Sequence, residues 1–236
     1  MAKKKKKDSN LLNVKNATKT LYANIRFMSP DEPIKTMLVT SAVPNEGKTT
    51  TSVHLAQAIA TSGKTVVLVD ADMRRGSVAG ILRIQPKAGA YAVMSESATL
   101  FEAVTKTSVP NLYFLDIEPN IPNPVDLLIS KKYLQLVEDL KSKFDYVIFD
   151  TPPTGTFVDA AVLSTLVDGV VLVARSNFVK RTEVVNAFEQ LNKANANILG
   201  VCATFCEDES SEYFYAYYNQ RGSRVESSRT ARRKNR

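Results

Sequence analysis

The fold class that this chain predicts is α/β: a doubly wound, mainly parallel β-sheet flanked by helices. Three observations carry it. Strand-like and helix-like patterns alternate from residue 36 to residue 204. The segments at 65–70, 146–150 and 169–175 are almost unbroken apolar runs, as parallel strands covered on both faces require. Polar motifs then cluster just after several of these runs, at the carboxyl ends of strands, where ligands sit in open α/β sheets. At 236 residues the chain is one such domain with appended ends, large enough for a substantial core. It contains no internal repeat.

Taken in order, residues 1–10 form a basic segment expected to be disordered. From 11 to 33 runs a helix and connector: Leu11, Val14, Leu21 and Ile25 share one helical face, and Met28 to Pro33 is a turn-rich exit. The main domain spans 34–206. Strands are expected near 36–41, 65–70, 112–116, 146–150, 169–175 and 197–204, and helices near 49–61, 98–106, 124–143, 158–166 and 180–194. Asn123-Pro124-Val-Asp126 is a helix start, with Asn as N-cap, Pro at the first position and an acid in the first turn. Residues 207–236 form a tail: acidic to Glu212, then Tyr213-Phe-Tyr-Ala-Tyr-Tyr218, then basic.

Three short segments specify a nucleotide site. Ser41-Ala-Val-Pro-Asn-Glu-Gly-Lys-Thr-Thr50 leaves an apolar strand and enters a helix. That is the context of a phosphate-binding loop, with backbone N–H groups exposed at a helix N-terminus whose dipole favours anions. Pro44, Asn45, Glu46, Gly47, Lys48, Thr49 and Thr50 make up its nucleotide-contacting stretch. Gly47 lets the backbone approach the phosphates, Lys48 reaches the β- and γ-oxygens, and the Thr49 hydroxyl can ligate magnesium. Val67-Leu-Val-Asp-Ala-Asp-Met-Arg74 supplies Asp70 and Asp72, two apart in an extended segment and so expected on one side. Val147-Ile-Phe-Asp150-Thr-Pro-Pro153 supplies Asp150. A hydroxyl and a few carboxylates, completed by water and phosphate oxygens, are how magnesium is usually held. The plainer reading makes Asp70 and Asp72 caps or turn formers, and Asp150 a surface carboxylate at a strand end.

Charge must be located before it is interpreted. The net +7 divides into +4 over residues 1–8, +6 over 221–236, and −3 between them. Basic ends on a mildly acidic body suit an anionic membrane face or a weak nucleic-acid contact, with solvated tails as the plainer reading. No apolar run approaches the roughly 20 residues that span a bilayer, and no signal peptide is expected, so the placement read from the sequence is cytoplasmic, peripheral at the inner face of the membrane. Cys202 and Cys206 lack the companions of a metal site and read as reduced thiols. The single histidine, His54, lies inside a helix, so histidine acid–base chemistry is not expected.

Those residues together resemble the bacterial tyrosine kinases encoded with capsule and exopolysaccharide synthesis systems, relatives of MinD and ParA with a P-loop NTPase-like fold. The resemblance covers about residues 16–206. Ala42-x4-Gly47-Lys48-Thr49 matches the Walker A motif and Val147-Ile-Phe-Asp150-Thr-Pro152 the Walker B motif. The apolar triplet 67–69 with Asp70-x-Asp72-x-Arg74 matches the Walker A′ motif peculiar to this family. Pro122 to Ser130, Val158-Asp-Ala160 and Asp168-Gly169 add local similarity, and the tyrosine run matches the family's C-terminal cluster in kind.

The resemblance implies ATP- and magnesium-dependent tyrosine phosphorylation, chiefly of C-terminal tyrosines on a neighbouring subunit in a ring. The acceptors here are Tyr213, Tyr215, Tyr217 and Tyr218. Lys48 holds phosphates; Thr49, Asp72 and Asp150 hold magnesium; Asp70 accepts the phenolic proton; Arg74 assists the site or a subunit contact. A separate transmembrane activator, the polysaccharide co-polymerase, is the implied partner, and no specific nucleic acid is. The family's subunit-bridging Glu-x2-Arg-x2-Arg is Asn16, Lys19 and Tyr22 here, and Arg-to-Lys loses the bidentate fork. Asn45 stands where the loop commonly has Gly, and Thr204 where relatives often have Asn. Two rivals remain: a MinD/ParA-like switch ATPase, and a nucleotide-bound scaffold without catalysis.

Overall fold

The computed structural model describes the backbone of residues 2–118, 121 and 123–206, with side chains from residue 13 onward. Seven strands, β1 (Thr36–Ser41), β2 (Val66–Asp70), β3 (Thr105–Lys106), β4 (Leu112–Asp116), β5 (Tyr146–Asp150), β6 (Gly169–Arg175) and β7 (Ile198–Thr204), form one sheet in the order β3-β4-β2-β5-β1-β6-β7. Every pairing is parallel except β3 with β4. The predicted doubly wound sheet is therefore present, with its chain reversal beside β1.

The apolar strands alternate faces, as period-two geometry dictates. Leu38, Val67, Val69, Val147, Phe149 and Leu172 point into one core, and Met37, Val39, Val66, Leu68, Ile148 and Val171 into the other. The second core is covered by α1 (Ala2–Met28) and α2 (Lys48–Thr61), through Tyr22 and Ile25 of the first and Leu55 and Ile59 of the second. The first core is covered by α7 (Lys131–Lys143), α8 (Asp159–Leu163) and α9 (Arg181–Lys193), through Leu136, Leu140, Leu163, Ala187 and Leu191. Between β2 and β4 lie three short helices, α3 (Val78–Leu82), α4 (Ala90–Met94) and α5 (Leu100–Ala103).

Several expectations need correction. The first helix runs from Ala2, so residues 2–10, expected to be disordered, continue it; lysine is a good helix former and nothing there breaks the turn. Of its predicted apolar face only the C-terminal part docks. Ile25 is buried and Leu21 half-buried, whereas Val14 is exposed; the Leu11 side chain lies outside the described residues.

The helix expected over 98–106 is only α5, started by a Thr99–Glu102 capping box, after which Thr105–Lys106 pairs antiparallel with β4. The helix expected over 124–143 is two, α6 (Pro124–Leu128) and α7, because Ser130 caps a new start by accepting from the Tyr133 N–H. Asn123 occupies the N-cap of α6, but its side chain makes no capping hydrogen bond. The segment expected over 158–166 divides into α8 and a 3-10 turn at Ser164–Leu166. The tail from residue 207, including Tyr213, Tyr215, Tyr217 and Tyr218, lies outside the described residues. Among the described residues no helix is long and apolar enough to cross a membrane.

Candidate active site

The loop between β1 and α2 takes its shape from two left-handed residues. Gly47, at φ 86°, is the N-cap of α2, and Asn45 has φ 67°. The left-handed region is open to Gly and, among other residues, favours Asn; this is why Asn45 serves where related loops commonly carry Gly. The first helical N–H with a backbone partner in this turn is that of Thr51, bonded to the Gly47 carbonyl at 2.9 Å. The N–H groups before it form the open end of the helix, available to an anion.

The Glu46 side chain turns inward. It is fully buried and braces the loop from inside: one carboxylate oxygen accepts from the Val43 N–H at 2.7 Å and the other from the Arg175 N–H at 3.1 Å. Its carbonyl accepts from the Thr204 hydroxyl at 2.6 Å, so Thr204 supports the loop from the end of β7. Behind the loop, the Gly155 N–H bonds the Ala42 carbonyl at 3.2 Å, and a Cβ on Gly155 would stand 2.3 Å from that oxygen. Pro44 on the loop and Thr50 in the first turn of α2 are exposed.

Lys48, Thr49 and Asp150 are in direct contact. Lys48 Nζ lies 3.4 Å from each Asp150 oxygen and 3.2 Å from Thr49 Oγ1. Ser52, one turn along α2, adds a 2.9 Å bond to Asp150 and was not anticipated; its signal is a hydroxyl four residues after the loop lysine on the same helix face. Asp150 is not the surface carboxylate of the plainer reading. It is fully buried, and desolvation holds its carboxyl above the ordinary range despite Lys48, Thr49 and Ser52.

Asp70 sits beside it, since Asp70 and Asp150 are register partners at the ends of β2 and β5. Burial first, then the Asp150 charge, push the Asp70 carboxyl up to about 7, against the pull of three backbone N–H bonds. Asp70 Oδ2 accepts from Ser77 and Val78 at 2.8 and 2.9 Å, and Oδ1 from the Asp72 N–H at 3.3 Å.

Strand alternation does not orient Asp72, because β2 ends at Asp70. Asp72 lies in the following turn, where its Oδ1 accepts from the N–H groups of Arg74 at 3.2 Å and Arg75 at 3.0 Å. Both aspartates hold the loop through backbone contacts, Asp70 with both oxygens and Asp72 with Oδ1. Ser77 Oγ, 3.4 Å from Thr49 Oγ1, ties this loop to the phosphate loop. Direct contacts join Lys48, Thr49 and Asp150, while Asp72 stands on the adjoining loop with no hydrogen bond to those three among the described residues.

A further acid belongs to this end of the sheet. Asp116, register partner of Asp70 on β4, is half-buried, and desolvation together with Glu118 raises its carboxyl. Gly76 lies over both: a Cβ there would be 3.4 Å from Asp70 Oδ2 and 4.0 Å from Asp116 Oδ1. Arg74 is already engaged within the chain. One guanidinium nitrogen reaches both oxygens of buried Asp159, at 3.1 and 3.0 Å, and the group stacks 4.0 Å from the Phe157 ring centre. On α1, the positions matching the family's subunit-bridging motif divide: Asn16 and Lys19 are exposed, whereas Tyr22 is buried edge-on against Tyr146, with their hydroxyls 3.3 Å apart.

The donor set fits magnesium bound together with a nucleotide. Thr49 and two aspartates would offer hard oxygen donors, and a cage built wholly from protein is not needed where phosphate oxygens and water complete the sphere. Lys48 already stands as a cation between Thr49 and Asp150.

A family model described as an AAA domain matches residues 35–201. Among curated relatives, the tyrosine-protein kinase YwqD of Bacillus subtilis is 35% identical over 198 residues, covering 84% of each chain. The tyrosine-protein kinase CpsD of Streptococcus pneumoniae is 33% identical over 204 residues, covering 86% of this chain and 89% of its own. Among solved structures, the chimerical protein CapA2B2 superposes with a TM-score of 0.75 at 30% identity, over 79% of this chain and 82% of that one. MinD from Pyrococcus horikoshii, complexed with Mg-ADP, gives 0.60 at 24% identity over 71% and 68%, a likeness of fold. The chain belongs to the AAA-domain family and, within it, to the bacterial tyrosine-protein kinases.

Proposed function

We propose that this protein is an ATP- and magnesium-dependent protein-tyrosine kinase that phosphorylates the C-terminal cluster Tyr213, Tyr215, Tyr217 and Tyr218 of a neighbouring copy and so regulates capsule or exopolysaccharide polymerisation and export. The observation that carries the reading is the contact of Lys48 with both Asp150 oxygens and Thr49, beside Asp70. In this reading Lys48 and the N–H groups from Asn45 to Thr50 grip the phosphates, and Thr49, Asp72 and Asp150 hold magnesium directly or through water. Bound magnesium neutralises charge on the phosphate oxygens.

Asp70 accepts the proton of the incoming phenol. A phenol of pKa about 10 is protonated at neutral pH, so a nearby carboxylate helps. The larger share of the acceleration falls to positioning and charge stabilisation by the loop and Lys48. The partner is a separate transmembrane activator. The basic ends favour the anionic inner face of the plasma membrane, and the working form is a homo-oligomer. Tyr22 is buried in the same chain, so in such an assembly α1 offers Asn16 and Lys19.

The test is incubation of the purified chain with ATP and magnesium, with and without the activator's cytoplasmic segment, followed by phosphotyrosine mapping. Label on the 213–218 cluster, absent from Lys48→Met, is the expected result. ATP hydrolysis with no labelled tyrosine would instead favour a switch ATPase.

A further inference from the structure

We propose that Asp159, which lies outside all three nucleotide motifs, is a positioning residue for the cation site: through Arg74 it sets the turn that holds Asp72. The inference rests on the reading of Asp72 as a magnesium ligand.

The connection is continuous and short. Arg74 uses its backbone N–H to bond Asp72 Oδ1 at 3.2 Å, and its guanidinium to bond both oxygens of Asp159 at 3.0 and 3.1 Å. Phe157 backs the guanidinium at 4.0 Å, a stacking contact that fixes the plane of the group. Asp159 is 2% exposed. A carboxylate so buried is held by its partner, and removing either member leaves an uncompensated charge. The pair is therefore a rigid strut between the segment after β5 and the loop after β2.

The rest of that loop explains why a strut is needed. Its ends are anchored, at Ala71 by a 2.7 Å bond to the Asp150 carbonyl and at Ser77 and Val78 by Asp70. The middle contains exposed Arg75 and Gly76, neither of which packs into the core. Two side chains fix the middle among the described residues: Met73, buried in the core, and Arg74, through Asp159. Asp72 Oδ1 is committed to the turn, so the direction of the other oxygen follows the turn, and Arg74 is one of the two side chains that set it. Groups that orient a metal ligand in this way typically alter metal affinity or activity by about 10- to 100-fold when removed.

The test uses the full chain in four forms: wild type, Arg74→Ala, Asp159→Asn and the double variant. Two readouts are taken: Mn2+ affinity of the ADP-loaded protein by electron paramagnetic resonance, and the Mg2+ concentration giving half-maximal tyrosine labelling. Each single variant should weaken both by about 10- to 100-fold, with metal-free ADP affinity by calorimetry unchanged. The double variant should be no worse than either single, because the residues act as one unit. A merely structural ion pair would lower the melting midpoint and leave the Mn2+ affinity of the folded protein untouched, and that result overturns the proposal. So does additivity of the two single effects. Should a single variant fail to fold, the double variant, with neither charge left, decides alone: wild-type metal dependence in it overturns the assignment. Asp72→Asn separates the premises. If it leaves metal affinity unchanged, the magnesium reading of Asp72 has failed; if it weakens affinity while Asp159→Asn does not, only the strut has.

Discussion

The two ends of the sheet treat aspartate in opposite ways. At the carboxyl ends of β4, β2 and β5, Asp116, Asp70 and Asp150 stand in neighbouring register, and burial raises all three. At the amino ends, Asp168 and Asp145 precede β6 and β5 and lie below the ordinary carboxylate range. Desolvation opposes the shift at Asp168, but the N–H groups of Thr36 and Lys35 and the Lys141 ammonium outweigh it; at Asp145 the Thr65 N–H and hydroxyl dominate. One side chain thus does two jobs. Where backbone donors meet the carboxylate at the sheet's amino edge, ionisation stabilises the fold. Where burial dominates, ionisation is disfavoured, and perturbed carboxyls of this kind cluster at functional sites.

The comparison breaks most visibly at Asp150. Asp150→Asn should lower tyrosine labelling by about 100-fold or more while the protein stays folded, measured by phosphotyrosine blotting beside circular dichroism. Full labelling would remove the carboxyl end from the chemistry.

At the opposite end, Asp168→Asn should cost about 2 kcal/mol of stability and leave labelling intact. Asp168 accepts from Lys35 and Thr36 at 2.9 and 2.8 Å and from Lys141 at 3.0 Å. The sign with pH follows. The folded carboxyl is depressed, so its contribution is present above the unfolded value near 4 and is lost as pH falls through the folded value. Urea titrations should show the gap between wild type and variant closing in acid. A constant gap would assign it to packing.

A smaller effect tests polar burial away from both edges. The Tyr133 hydroxyl is fully buried with no hydrogen-bond partner among the described residues. Tyr133→Phe should be neutral or stabilise by up to about 1 kcal/mol in thermal unfolding; a clear loss would reveal an acceptor. The smallest change is expected at Asp145→Asn, within about 0.5 kcal/mol, because that side chain is 42% exposed and water screens its interactions.

Legibility from sequence followed the same divide. The central strands were readable because parallel strands buried on both faces need unbroken apolar runs. The phosphate loop was readable because Gly47, Lys48 and Thr49 sit between a strand and a helix. Short elements were not: α3, α4 and α5 have five, five and four residues, too few for helical periodicity to emerge. The break between α6 and α7 depends on the Ser130 cap, one residue inside an otherwise continuous pattern. Within the site, Lys48, Thr49 and Asp150 came from motif spacing. The inward turn of Glu46, the Ser52 bond and the Arg74–Asp159 contact depend on residues up to 129 positions apart in the chain, as with Glu46 and Arg175. No local pattern announces the Glu46–Arg175 and Arg74–Asp159 pairs.

Gly155 has a consequence for how this protein can vary. Any larger residue there would drive a carbon into the Ala42 carbonyl, prising the segment after β5 from the phosphate loop. In a saturation library selected for phosphorylation, position 155 should return glycine alone, while exposed Thr156 next to it accepts many substitutions. A column that admits a single amino acid, with no chemistry of its own, would record how little clearance separates two of the strand-end loops.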